Sequence, residues 1–135
     1  MSFIPGRILS KLFNRTSLKN CGNKVCFSVK NRLAPATLLS VSRIEIDGAE
    51  IPIKSVNVSW SDGSSIALTG ISPKKNLDFP LGALLYIVME TEPLEPGKHD
   101  LQVVVTTEHF GELSIKVSEE LKTGDHAPGS LPRDP

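Results

Sequence analysis

The sequence predicts an all-β fold, a single antiparallel β-sandwich of about eight strands, from composition, punctuation and patterning. Val and Ile occur 10 times each and Thr 7 times, against 6 Ala. Such β-branched side chains lose rotamer freedom in helices and pack well on a pleated surface. The 10 Gly and 10 Pro supply turns for many short strands. Strand-like segments recur every 8–12 residues or so with turn signals between them, the spacing of a sandwich. No βαβ alternation is visible, which excludes doubly wound and barrel α/β folds.

Residues 1–15 hold Ile8, Leu9, Leu12 and Phe13, a spacing that suits a short amphipathic helix but also a frayed strand. An N-terminal strand and turn is the reading adopted. A transit peptide would need more length and more Ser. From residue 17 a hairpin follows, turning at Gly22-Asn23, with Val25, Phe27 and Val29 facing inward. Pro35 interrupts the chain before a long strand, Thr37 to Asp47. Its apolar residues change phase, from Leu39 and Val41 to Ile44 and Ile46, which requires a bulge or a sheet-crossing bend near Ser42–Arg43. Asp47-Gly48 turns into a short strand, and Val56, Val58 and Trp60 alternate inward before the Asp62-Gly63 turn.

Residues 70–82 read as the longest loop. Ala83 to Met89 is continuously apolar, the pattern of a strand covered on both faces or at the sandwich centre. A Pro96-Gly97 turn opens into Leu101, Val103 and Val105. After Phe110-Gly111 the residues Leu113, Ile115 and Val117 alternate with polar partners. The expected organisation is a lead-in at 1–15, the sandwich at 16–121 and a disordered or partner-pinned tail at 122–135.

With 135 residues the chain fits one domain, since domains run to roughly 100–200 residues. Its longest apolar run is far short of the roughly 20 residues of a bilayer span. With two cysteines and no secretory leader pattern, a soluble cytoplasmic protein is expected. Charge is unevenly spread: eight basic residues and no acid precede Glu45, and seven basic and fifteen acidic residues follow. The favoured reading pairs basic strands with acidic ones across a sheet. A nucleic-acid platform would interleave exposed aromatics, and none are evident.

The search for chemistry yields no catalytic residue and no metal site. Cys21 and Cys26 lack a second ligand pair for zinc, so half-exposed thiols are expected, with a disulfide or redox role as the alternative. His99, His109 and His126 read as exposed turn or tail residues. Glu45/Asp47 and Glu90/Glu92 share strand faces and could divide acid and base roles, though solvated edges are the simpler reading. Two Pro-interrupted segments are apolar where connections are normally polar. Either both segments plug the ends of the sandwich, or Arg32, Leu33, Pro35, Phe79 and Leu81 are the candidate partner-binding residues, expected to form one patch at one end with Phe79 as a central anchor.

The runs Ser17–Asn20, Val25–Thr37, Ile46-Asp47-Gly48, Glu92–His99 and Gly111-Glu112-Leu113 resemble the family of C-glycoside deglycosidase β subunits, over residues 16–120. That resemblance implies a small accessory β-sandwich subunit without catalytic residues or cofactor of its own. Its implied partner is a larger barrel-type subunit holding divalent manganese or magnesium, in a hetero-oligomer that cleaves the C–C bond of 3-oxo-C-glycosides. The alternative is a stand-alone module binding carbohydrate or nucleic acid.

Overall fold

A computed structural model of the chain describes residues 6–121. The tail expected at 122–135 and the first five residues lie outside the described part. A helical turn, α1 (Gly6–Leu9), runs into a 3-10 turn, Ser10–Leu12. Ten strands follow: β1 (Lys19–Cys21), β2 (Lys24–Lys30), β3 (Ala36–Ile46), β4 (Ala49–Ile51), β5 (Val56–Trp60), β6 (Ser65–Ala67), β7 (Leu77–Phe79), β8 (Leu84–Met89), β9 (Gly97–Thr107) and β10 (Gly111–Leu121). They form two antiparallel sheets, one ordered β1-β2-β8-β5-β6 and the other β10-β9-β3-β4, with β7 paired to β3. The all-β sandwich is therefore observed, with ten strands rather than about eight. No described helix is long and apolar enough to cross a membrane.

The inner faces follow from strand period two. Val25 and Phe27 on β2, Val56 and Val58 on β5, and Leu85, Ile87 and Met89 on β8 are all buried in one core with Ile44, Ile46 and Leu101. On β3 the residues packed on that core are Ala36, Leu38, Val41, Ile44 and Ile46. Two of those steps are three residues long, and at each the register against β9 slips, between Leu38 and Ser40 and between Val41 and Arg43. A bulge adds one residue without crossing the sheet, so these slips keep one face apolar along all 11 residues. The second slip is the expected one; the first moves Leu38, not Leu39, onto the core.

Four other expectations are corrected. Residues 6–12 are helical, with Leu9 and Leu12 buried by the turns, and the chain then extends at Phe13, which is buried at an antiparallel bridge to Val29. Within 70–82 a three-residue strand forms, because Leu77 and Phe79 alternate with exposed Asp78 and find a free edge on β3. β8 is central in its sheet, but Tyr86 is 42% exposed, so only one of its faces is covered. Trp60, in the inward phase of β5, is half-buried at the strand end rather than fully enclosed.

Turn chemistry matches the loops. Asp47 and Gly48 have φ of 54° and 84°, the two positive values of a type I′ hairpin, which asparagine, aspartate and glycine tolerate best. Between β9 and β10 a three-residue loop, 108–110, leads into Gly111, which opens β10 in the left-handed region at φ 70°.

Candidate functional site

Antiparallel β2 and β8 place Val25 opposite Met89 and Lys30 opposite Leu84. The loops after Lys30 and before Leu84 thus share one end of the sandwich. The β1–β2 turn and the segment after Met89 share the other.

At the first end Asn31 is the organising residue. It is 2% exposed, and its amide donates to the carbonyls of Ala34 (2.8 Å) and Phe79 (2.7 Å). Its side-chain oxygen accepts from the backbone N–H groups of Leu33 (3.1 Å) and Ala34 (3.3 Å). One asparagine thus satisfies four backbone groups in two loops, which is why a Pro-interrupted connection can sit here without orphaned polar atoms. Arg32 reaches back to the N-terminal segment, donating to the Lys11 carbonyl (2.7 Å) and the Asn14 side-chain oxygen (2.6 Å).

The two segments expected to meet therefore do meet, with Ala36 registered against Phe79. They do not form the expected surface. Phe79 is 6% exposed and belongs to the core, so it is corrected from partner anchor to end plug. Leu33 is half-buried, while Arg32, Pro35 and Leu81 are exposed, Leu81 by 59%. The Arg32 guanidinium is already engaged within the chain.

The opposite end is built differently. Asn20, 8% exposed, donates to the Leu94 carbonyl and accepts from the Leu94 N–H, both at 2.9 Å, and so holds the Pro-rich 92–97 segment as a strand would. His99 lies beside it on β9. Its Nδ1 is 2.6 Å from an Asp47 carboxylate oxygen and its Nε2 is 2.7 Å from the Glu95 carbonyl. Two acceptors require two N–H groups, so this arrangement selects the imidazolium. Burial pulls the His99 pKa down, but the Glu95 carbonyl and the Asp47 and Asp100 carboxylates more than offset it, and the net displacement is upward. The His99 hydrogen bond and the Asp100 N–H, 2.8 Å from its other oxygen, hold Asp47 below the usual carboxylate value.

His99 is thus corrected from exposed turn residue to a clasp with its side chain 12% exposed. The sequence signal was Asp47-Gly48: a type I′ corner sets Asp47 against Asp100 in the register of β3 and β9. His109 is exposed, as expected, and His126 lies outside the described residues.

The remaining candidates are spent on structure. Glu45 pairs with Arg43 at 3.1 Å and Glu90 with Lys24 at 3.7 Å, so neither carboxylate couple stands ready for acid–base work. The Lys24–Glu90 contact is also a basic-to-acidic pair between the two halves of the sequence, exposed and worth little. Cys21 and Cys26 form a disulfide, with Cα atoms 6.1 Å apart, in place of the expected thiols. A two-residue turn between registered Cys21 and Lys24 makes the cysteines diagonal neighbours on one face, and that spacing was readable. Among the described residues no three His, Cys, Asp or Glu side chains converge as metal ligands.

No curated protein matches the chain. Among solved structures, a family 123 glycoside hydrolase from Clostridium perfringens that hydrolyses glycolipid glycans shares 12% identity at a TM-score of 0.36, over 82% of this chain. The chain spans 27% of that enzyme, and a likeness of this size carries nothing over. The comparisons lend no support to the deglycosidase β-subunit likeness. Its motif residues have general structural duties here: Asp47-Gly48 makes a corner, Gly97 takes φ 125°, and His99 clasps a loop. Turn motifs of that kind recur in unrelated sandwiches. The family model that does match, over residues 8–122, is described as hydroxymethylglutaryl-CoA reductase, N-terminal domain. Because that match takes in all ten strands, the chain belongs to this family.

Proposed function

We propose that the chain is a non-catalytic β-sandwich module that serves a catalytic unit elsewhere. One observation carries this reading: His99, the best-placed proton-transfer group, has both nitrogens committed to Asp47 and Glu95 and none left for a substrate. The family description, which names one domain of a larger enzyme, supports it. A stand-alone carbohydrate module fits less well, since Tyr86 is the exposed aromatic on a sheet face while Phe13, Phe27 and Phe79 are buried.

The proposed docking end carries Pro35 and Leu81, with Leu33 beside them and Arg32 bracing the N-terminal segment behind. Two catalytic units are carried into the test. One is a reductase acting on hydroxymethylglutaryl-CoA, after the family description. The other is a manganese- or magnesium-dependent barrel-type subunit cleaving 3-oxo-C-glycosides, after the motif resemblance.

The experiment is co-purification of the full chain from its native host, followed by assays of both reactions with the chain alone and with the captured enzyme. Expected are no turnover by the chain alone and an enzyme whose activity or lifetime rises when the chain is present. Turnover by the isolated chain overturns the proposal, as does an enzyme indifferent to its presence.

A further inference from the structure

We propose that the space between the two sheets is a binding cavity for an alkyl chain of about ten carbons, entered between α1 and β10. The cavity measures about 300 Å³. That is about ten times the roughly 30 Å³ that one water occupies in the liquid, and about twice the volume of engineered aliphatic cavities that stay dry and admit benzene.

The character of its wall selects the occupant. Of the described residues that line it, Asn31 and Thr107 alone are polar. Asn31 has given both amide hydrogens and filled its oxygen with two N–H donors. The Thr107 hydroxyl donates to the Gly111 carbonyl at 3.0 Å and accepts from the Phe110 N–H at 3.1 Å. Water entering would find a single unspent lone pair, on the Thr107 hydroxyl, short of the roughly two to four partners a buried water needs, so it would forfeit most of its own hydrogen bonds. Hydrocarbon loses nothing there and gains dispersion contacts that an empty cavity forgoes.

The direction of entry follows from burial along the wall. Phe27, Leu85 and Ile87, on the far sheet, are buried. Leu113, Ile115 and Val117, on the edge strand β10, and Ile8, on α1, are only half-buried. α1 packs on β10, and Leu9 and Leu12 close the inner side of that seam. A chain inserted there would bury its methylenes between the sheets and leave a polar end group at the seam.

The test is calorimetric titration of the full chain with 1-decanol and with sodium decanoate, with a thermal-unfolding control for every variant. Saturable one-to-one binding and a raised Tm are expected for both probes. Ile115→Asp, which sets a charge in the seam at a half-exposed position, should weaken binding by about tenfold or more. Val103→Phe should abolish binding by filling the cavity, and Tyr86→Ser on the outer face should leave it unchanged. Absence of saturable binding to the folded wild-type chain overturns the proposal. So does unchanged affinity in folded Ile115→Asp, which places the probe elsewhere even where Val103→Phe does not fold.

Discussion

The two ends of the sandwich solve one problem with different chemistry. Each must hold Pro-containing segments that cannot pair as strands. The Asn31 end uses a neutral buried amide that saturates four backbone groups. The His99 end adds an ionised pair to an asparagine clamp. A neutral clamp is indifferent to pH, whereas an imidazolium–carboxylate clasp exists only while both partners are charged. One end is therefore constant and the other conditional.

The largest test of that contrast is Phe79→Ala. As a core plug rather than a docking anchor, Phe79 should cost about 3–5 kcal/mol of folding stability on truncation, read from urea denaturation of the isolated chain. A folded variant with near wild-type stability would return Phe79 to the surface and remove the distinction between plug and patch. Next comes Asn31→Ala, expected to cost about 3 kcal/mol because buried backbone groups lose their partners, with the loss equal at acid and alkaline pH.

The conditional end is probed by pH. The His99 pKa is raised in the fold, so its contribution is complete below the ordinary value of about 6.5 and disappears as pH rises through the raised value. The Asp47 pKa is lowered, so its contribution is present above its ordinary value of 3.8 and disappears as pH falls through the lowered one. Wild-type stability should therefore drop as pH rises from the ordinary histidine value of 6.5 through the raised one, and His99→Gln should remove that drop. A variant with an unchanged pH slope would show that the clasp contributes nothing. The smallest effect belongs to Leu81→Ser: at 59% exposure it should change folding stability by less than about 0.5 kcal/mol. The same substitution should weaken capture of a catalytic partner if this end docks.

The sandwich was legible because its signals are local. Period-two alternation marked β2, β5 and β10, and Asp47-Gly48, Asp62-Gly63 and Phe110-Gly111 marked the β3–β4, β5–β6 and β9–β10 turns. β7 was not legible, since three residues offer one alternation and their existence depends on a free edge of β3. The N-terminal helix was misread because the four apolar residues fit both periods, and the segment uses both: helical turns bury Leu9 and Leu12, and an extended bridge to Val29 buries Phe13. At the candidate site the sequence brought two loops together correctly but could not separate plug from patch. An apolar loop residue looks the same whether it points into the core or away from it. The His99 clasp stayed hidden because its partner lies 52 positions away and is reached only through the β3–β9 register.

The order of strands also sets a timetable for folding. β1–β2, β3–β4, β5–β6 and β9–β10 are hairpins between neighbours in sequence and need only short loops to close. Every joint between hairpins is distant: β8 alone links β2 to β5, and β9 alone links β10 to β3. Hairpins close in about 1–10 μs, but such distant joints must first meet the entropy of large loops. On a growing chain the first sheet stays divided until Met89 has emerged, and the second until Thr107. β8 and β9 are the keystones of the two sheets. Substitutions that weaken their cross-strand contacts should slow assembly more than equal losses within a hairpin.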